Sequence, residues 1–175
     1  MKRNLQNWLS TGIFLVVVLA IAYTIVNIIM QKTVVEGDSM APALDDGDVV
    51  FTNIVTYNFN PPQVDDVVLI ELNDGTRIVK RIVADQGKIV KIDSFGRLVV
   101  NGYAVQNDHG VGIIMEPGIA RNEIQLAPEE YFVLGDNRNH SKDSRDPKIG
   151  VIKRSQIVGK VIYRIQPFDK MGSIE

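Results

Sequence analysis

Two hydrophobic patterns divide the chain near residue 31. Residues 4–31 carry no charged side chain, and 15 of the 18 positions from 13 to 30 are aliphatic, Phe or Met. As a helix, residues 9–30 would rise about 33 Å at ~1.5 Å per residue, which is enough to cross a hydrocarbon core of roughly 30 Å. The pattern predicts one N-terminal transmembrane helix.

The charges that flank this segment predict its orientation. Lys2 and Arg3 precede it and Lys32 follows it, so the positive-inside rule favours a cytoplasmic N-terminus. We therefore expect a single-pass protein of the cell membrane with a cytoplasmic N-terminus (residues 1–8), an anchor in the lipid bilayer (9–31) and an extracytoplasmic domain (32–175). A cleavable signal peptide is the alternative, but it needs a shorter apolar run followed by a small-residue cleavage site.

Beyond the anchor, the pattern changes to short β-branched runs separated by turn residues, which is typical of strands. These runs cover residues 48–55, 67–72, 76–84, 88–92, 97–100, 131–134 and 157–165. The sequence Asn73-Asp74-Gly75 predicts a hairpin turn between the second and third runs. Residues 104–128 have weak periodicity and predict an exposed loop with a short strand. The predicted class is mostly β, an antiparallel β-sheet domain with one N-terminal transmembrane helix.

Composition removes several kinds of chemistry. The 175 residues include no Cys and only two His, so disulfides, thiolate nucleophiles and Cys-ligated metal sites are excluded. The net charge of −2 lacks the basic excess of a nucleic-acid-binding protein. We expect no metal, no cofactor and no nucleic-acid partner.

Three segments hold residues that a β core does not need. Ser39 lies in a constrained turn between Gly37 and Pro42, where a nucleophile can sit beside free backbone N–H groups. Lys80 lies among aliphatic residues on a predicted strand, and desolvation there would lower its pKa from about 10.4 towards the ~7–8 of a general base. Residues 135–147 form a polar loop. Taken singly, each segment also fits an ordinary turn serine, a solvated strand lysine or a hydrogen-bonded loop.

Taken together, the three segments resemble bacterial type I signal peptidases in their short, Gram-positive-like form. The matching residues follow the apolar segment in order: Ser39-Met40-Ala41-Pro42, Lys80-Arg81, and Gly135-Asp136-Asn137-Arg138-x-x-Ser141-x-Asp143-Ser144-Arg145. The resemblance implies a membrane-bound serine endopeptidase, a hydrolase that removes signal peptides from exported preproteins after small residues of the Ala-x-Ala type.

The resemblance also implies roles for individual residues. Ser39 would be the nucleophile and a neutral Lys80 its base, the Ser141 hydroxyl would orient Lys80, and Asp143 would pair with Arg145. By position, the residues that would form two shallow substrate pockets are Val35, Met40, Leu44, Leu69, Ile78 and Val79. Many Gram-negative members have a serine two residues before the nucleophile, where this chain has Gly37, so the second oxyanion donor is not assigned.

Two alternatives stay open at this point. One is a dedicated processing or assembly factor for surface fibres with the same fold. The other is a membrane-anchored β module that binds a partner and catalyses nothing. The presence of both Ser39 and Lys80 argues against an inactive protein.

Overall fold

The computed structural model describes residues 2–106 and 108–174. Met1, Asn107 and Glu175, which fall within the predicted N-terminal segment, the predicted loop and the predicted outer domain, lie outside the described residues. The first element is helix α1 (Lys2–Ile29). Within the described residues, no helix combines the length and the apolar character that a membrane span requires. The transmembrane part of the fold prediction is therefore not confirmed.

In the described part of the chain, twelve strands follow the helix, and every pairing between them is antiparallel. They are β1 (Met30–Val34), β2 (Val49–Asn53), β3 (Val67–Glu71), β4 (Arg77–Ala84), β5 (Ile89–Ile92), β6 (Leu98–Val100), β7 (Tyr103–Ala104), β8 (Ile124–Gln125), β9 (Glu130–Leu134), β10 (Ile152–Lys153), β11 (Ile157–Gln166) and β12 (Gly172–Ser173). Short 3-10 helices cover Thr56–Asn58, Gly118–Arg121, Arg138–His140, Arg154–Gln156 and Phe168–Lys170. The prediction of a mostly antiparallel β domain is confirmed.

The strands form two sheets. The larger has the order β1-β2-β11-β3-β4-β9-β10, with β12 paired to β11, and the smaller has the order β7-β6-β5-β8. All seven predicted runs are strands. The predicted hairpin turn is present, because the Gly75 N–H donates to the Leu72 carbonyl at 2.9 Å and Gly75 has a positive φ of 83°.

The structure adds strands that the pattern did not predict. β1 begins at Met30, inside the apolar run that we assigned to the anchor up to residue 31, and pairs with β2 from Met30↔Asn53 to Val34↔Val49. Because the apolar run is uninterrupted, the sequence does not reveal where the helix ends and the strand begins. The other three additions, β7, β10 and β12, have two residues each, which is too short for a periodicity to be recognised. β8 also has two residues, and it lies within residues 104–128, where a loop with a short strand was predicted.

Strand β3 lies between two hydrophobic clusters and is therefore buried on both faces. Because side chains alternate along a strand, Val67 and Leu69 face a cluster with Met40, whereas Val68 and Ile70 face a second cluster with Ile82. This double burial explains why the run lacks an alternating polar face. The third cluster joins the smaller sheet to β9 through Phe132 and Leu134. The Ser39 turn is thus attached to the first cluster by its neighbour Met40.

Gly159 marks a close crossing of β11 and β2. A Cβ atom at this position would lie 2.4 Å from the Asn53 carbonyl oxygen of β2, while the pairing of β11 with β3 on its other side has a register shift between Ile157 and Gly159. We predict that Gly159→Ala lowers the free energy of unfolding by about 1–3 kcal/mol, because backbone must move to admit the methyl group. Urea unfolding followed by circular dichroism measures the change. Gly172→Ala, which meets nothing within 4 Å, is the control, and equal midpoints for the two variants would contradict the prediction.

Candidate active site

The Ser39 turn is tied to the core on both sides. Before it, the Val35 N–H donates to the Asp48 carbonyl at 2.8 Å, and after it the Leu44 N–H donates to the Met40 carbonyl at 2.9 Å. The side chains of Met40 and Leu44 are fully buried in the first hydrophobic cluster. These anchors fix the half-buried Ser39 at the surface of that cluster.

Lys80 reaches Ser39 from the middle of β4. Its side chain is 4% exposed, and its Nζ lies 2.7 Å from Ser39 Oγ and 2.9 Å from the Val79 carbonyl oxygen. The two residues are 41 positions apart in the chain, so only tertiary packing brings them together. The hydroxyl and the amine that the sequence singled out are therefore within hydrogen-bonding distance of each other.

Burial changes the protonation of Lys80. Loss of solvent lowers the pKa of its amine from 10.5 to about 8, while the carboxylates of Asp143 and Asp136 act in the opposite direction. Desolvation is the larger effect because an ammonium without water is costly and only two hydrogen-bond acceptors replace its hydration. With that pKa, about a tenth of the amine is neutral at pH 7 and about half at pH 8, so the neutral form that a general base requires is accessible.

The polar loop of residues 135–145 follows β9 and holds the Ser39 turn in place. The backbone N–H of Asn137 donates to the Ser39 carbonyl at 3.1 Å, and its side-chain amide donates to the Asp38 carbonyl at 3.1 Å. Gly135 is the point of closest approach. A Cβ atom there would lie 2.4 Å from the Ser39 carbonyl oxygen and 2.3 Å from Ser141 Oγ, so only glycine fits.

Asp143 and Arg145 form the ion pair that the family resemblance implied. Arg145 donates through Nε and Nη2 to the two carboxylate oxygens of Asp143, each at 2.8 Å, and both side chains are buried. Asp143 also accepts the Gly135 N–H at 3.1 Å. Arg145 donates to the Arg138 carbonyl at 2.5 Å. The pair therefore connects both ends of the loop.

Ser141 differs from the prediction. We expected its hydroxyl to hydrogen-bond to Lys80, but within the described residues its buried Oγ has no hydrogen-bond partner. Lys80 instead directs its amine to Ser39 and to the Val79 carbonyl. Ser141 Oγ still lies against Gly135, next to the Ser39 turn.

The sequence analysis missed two further ion pairs, of which one is buried and the other joins the buried Arg138 to the partly exposed Asp108. Arg81 donates to both carboxylate oxygens of Asp136 at 2.9 and 2.8 Å, and Arg138 forms a bidentate pair with Asp108. The sequence showed Arg81, Asp136 and Arg138 as motif positions without a role. Asp108 gave no signal, because its partner lies 30 residues away in the chain.

A groove of about 520 Å³ leads to Ser39 between β1 and the hairpin of β3 and β4. Of the six predicted pocket residues, Val35, Leu69 and Val79 line it. Met40 and Leu44 are fully buried in the same hydrophobic cluster as those three. Ile78 instead packs against the second cluster.

Comparisons with known proteins agree with these motifs. The family model described as "Signal peptidase, peptidase S26" matches residues 6–166. The chain is 32% identical over 185 aligned positions to signal peptidase IB of Staphylococcus aureus, covering 97% of this chain and 94% of the relative. It is 27% identical over 169 positions to the probable signal peptidase I-1 of Synechocystis sp., covering 91% and 83%.

Among solved structures, a signal peptidase I from Enterococcus faecalis V583 aligns with a TM-score of 0.47 and 24% identity, covering 58% of this chain and 97% of that one. The assignment depends on the sequence matches, which span nearly the whole chain and include a relative above 30% identity. On that evidence, the chain belongs to the signal peptidase family, peptidase S26, and is a serine peptidase of the signal peptidase I type.

Proposed function

We propose that this protein is a membrane-anchored endopeptidase that cleaves signal peptides from exported preproteins with a dyad of Ser39 and Lys80. The observation that carries the proposal is the 2.7 Å distance between Lys80 Nζ and Ser39 Oγ at a buried amine. A nucleophile within hydrogen-bonding reach of a base whose pKa is lowered is the arrangement that acyl transfer needs. No observation favours a fibre-assembly role or a non-catalytic module.

The proposed reaction has two halves. Neutral Lys80 accepts the Ser39 proton as Oγ attacks the scissile carbonyl carbon, and the resulting ammonium gives that proton to the leaving amine. The acyl group then remains on Ser39 Oγ. In the second half, Lys80 accepts a proton from water, the hydroxide attacks the ester carbonyl, and the proton returns to Ser39 as the C–O bond breaks. No cofactor or metal is required for either half.

The oxyanion of each tetrahedral intermediate needs donors. Within the described part of the chain, the Ser39 N–H has no acceptor, so it can donate to the oxyanion. Gly37 stands where a serine supplies a second donor in many Gram-negative members, and its own N–H is already donated to the Asp46 carboxylate at 2.6 Å. We assign Ser39 as the backbone donor and exclude the Gly37 N–H from this role.

The substrate would bind in the groove as an extended strand. β1 pairs only with β2 among the described strands, and β4 pairs with β9 only from Arg81 onwards, so two free strand edges face the groove. A peptide can add to such edges through main-chain hydrogen bonds. Val35, Leu69 and Val79 would form the shallow apolar floor beneath it. A shallow floor admits Ala or Gly and rejects larger side chains by steric conflict, which is the Ala-x-Ala preference.

The anchor rests on the sequence of α1 and on its exposed surface. Consecutive apolar side chains from Ile13 to Val16 are all exposed, so the helix is apolar around its circumference rather than along one stripe. The Thr24 hydroxyl donates to the Ala20 carbonyl at 2.8 Å, which satisfies that polar group without water. We propose the helical part of the predicted anchor, residues 9–29, as a single-pass anchor with a cytoplasmic N-terminus, and the chain from β1 onwards as the extracytoplasmic catalytic domain. Since β1 begins at Met30, the groove would open at the bilayer surface.

We predict that Ser39→Ala and Lys80→Ala each reduce cleavage of a secretory precursor by more than about 1,000-fold, because each removes one half of the dyad. Lys80→Arg should be equally inactive, since a guanidinium stays protonated and cannot accept the proton. The assay uses the full chain in nonionic detergent. Ser94→Ala and Lys153→Ala, at exposed positions, are the controls. Undiminished cleavage by either dyad alanine variant would refute the assigned roles.

The pH dependence should follow Lys80. Its amine is protonated and inactive below its pKa of about 8 and neutral above it. We therefore expect kcat/KM to rise with pH and to level off above about 8, falling about tenfold per pH unit well below that value. A profile from pH 5 to 10 measures the midpoint. An acid limb centred near 4, as for a carboxylate base, would contradict the role of Lys80.

Gly135→Ala should inactivate the enzyme without unfolding it. The added methyl group would displace the Ser39 carbonyl or the Ser141 hydroxyl, and a shift of about 1 Å at a reacting group can cost on the order of 100-fold in rate. Cleavage rate and thermal midpoint are measured together, with Gly172→Ala as the control that meets no neighbour within 4 Å. Wild-type kcat/KM in Gly135→Ala would contradict the close contact.

A further inference from the structure

The end of the groove that lies away from Ser39 is built from polar and basic residues. Gln31, Lys32 and Thr33 of β1 form one wall, and Gly75, Thr76 and Arg77 form the other. The apolar groove residues Leu69 and Val79, in contrast, belong to the buried cluster that supports the Ser39 turn. Near the dyad the groove lining thus combines these apolar residues with the carboxylate of Glu36, whereas both basic residues of the lining, Lys32 and Arg77, lie at the far end.

The directions of the two walls follow from the sheet. Four successive antiparallel pairings lead from β1 through β2, β11 and β3 to β4, so β1 and β4 run in the same direction. The contact between Lys80 and Ser39 joins the two walls at the dyad. Both Lys32 and Arg77 precede that contact along their own segments, so they lie at the same end of the groove.

The two basic side chains are not equally available. Arg77 is paired with Glu71 across the β3–β4 hairpin at 2.8 Å, so much of its charge is already offset. Lys32 is exposed, and within the described residues it forms no ion pair. An unpaired ammonium on a groove wall acts on whichever charge a bound peptide brings beside it.

The distance along the strands gives the substrate position. Arg77 lies three residues before Lys80, which is about 10 Å at ~3.3 Å per residue, and an extended peptide covers that length with three residues. A peptide that leaves the bilayer where α1 ends, at Ile29, enters the groove at the Lys32 end and reaches the dyad last. The substrate residues beside Lys32 and Arg77 are then about the fourth to sixth before the cut.

We propose that Lys32, assisted by Arg77, forms a cationic subsite that selects signal peptides by charge about four to six residues before the cleavage site. Acidic side chains are favoured there, and basic side chains are disfavoured by like-charge repulsion. This inference rests on the proposed function, because it concerns the same groove and the same substrate.

The test uses three synthetic signal-peptide substrates that share one Ala-x-Ala site and carry Glu, Gln or Lys at the fifth residue before the cut. Cleavage by the full chain in nonionic detergent is measured as kcat/KM. We expect the wild type to prefer Glu over Lys by about three- to tenfold, in line with exposed charge pairs, and the ratio to shrink at 0.5 M NaCl. In Lys32→Gln the ratio should fall towards 1, and in Lys32→Glu it should invert.

An inverted Glu/Lys ratio in Lys32→Glu would distinguish an electrostatic preference from a steric one, because a steric preference does not depend on the sign of the charge at residue 32. Arg77→Gln should lower the ratio less than Lys32→Gln, since Glu71 already offsets Arg77. The control is Lys153→Gln, an exposed lysine on β10 at the opposite edge of the larger sheet, which should keep the wild-type ratio.

The outcomes separate this inference from the proposed function. If the wild type cleaves all three peptides equally well, or if Lys32→Gln keeps the wild-type ratio, the subsite is refuted and the dyad is untouched. A matched series carries Glu, Gln or Lys at the fourth residue after the cut, and a charge preference there and not before the cut would refute the assigned direction of the peptide and with it the subsite. If no peptide is cleaved by the wild type while Ser39→Ala is equally inactive, the proposed function itself is refuted.

Discussion

The chemistry of this protein depends on the burial of one amine. Removing water from Lys80 lowers its pKa to about 8, which corresponds to about 3 kcal/mol by which the fold disfavours the ammonium. The amine stays buried because β3 pairs with the Lys80 backbone and the Ser39 turn contacts its Nζ, although β9 pairs with β4 only from Arg81 onwards. A lysine at the same position on a solvated edge strand would stay protonated at neutral pH and could not accept a proton from Ser39.

The carboxylates near Lys80 raise the pKa of its amine, and the arginines paired with them reduce this increase. Asp143 and Asp136 both favour the charged amine, yet Asp143 is paired with Arg145 and Asp136 with Arg81. Each pair is nearly neutral as a unit, so the amine experiences less negative potential than two free carboxylates would create. The same pairs satisfy buried polar groups of the 135–145 loop, which carries the contacts to the Ser39 turn. The same two ion pairs therefore hold the loop in place and keep the pKa of the Lys80 amine low.

The larger sheet supplies both the support and the opening of the site. Its central strands are buried on two faces, whereas β1 and the first half of β4 leave their edges unpaired on either side of the groove. Free strand edges are a liability for a soluble protein unless something pairs with them. In the proposed function, the substrate is the strand that occupies this gap, and the side chains along its walls decide which peptides fit.

The sequence by itself determined the antiparallel β class and seven of the strands, because periodicity and turn residues are local properties. Its short motifs, through their family resemblance, singled out Ser39, Lys80, Asp143 and Arg145 as candidate site residues. Tertiary structure alone decided that β1 starts at Met30, that Asp108 pairs with Arg138 and that Ile78 packs away from the groove. It also placed Ser141 Oγ beside Gly135 rather than in a hydrogen bond with Lys80. These features depend on which distant segments of the chain are in contact. The sequence pattern contains no information on the distance between residues that are tens of positions apart.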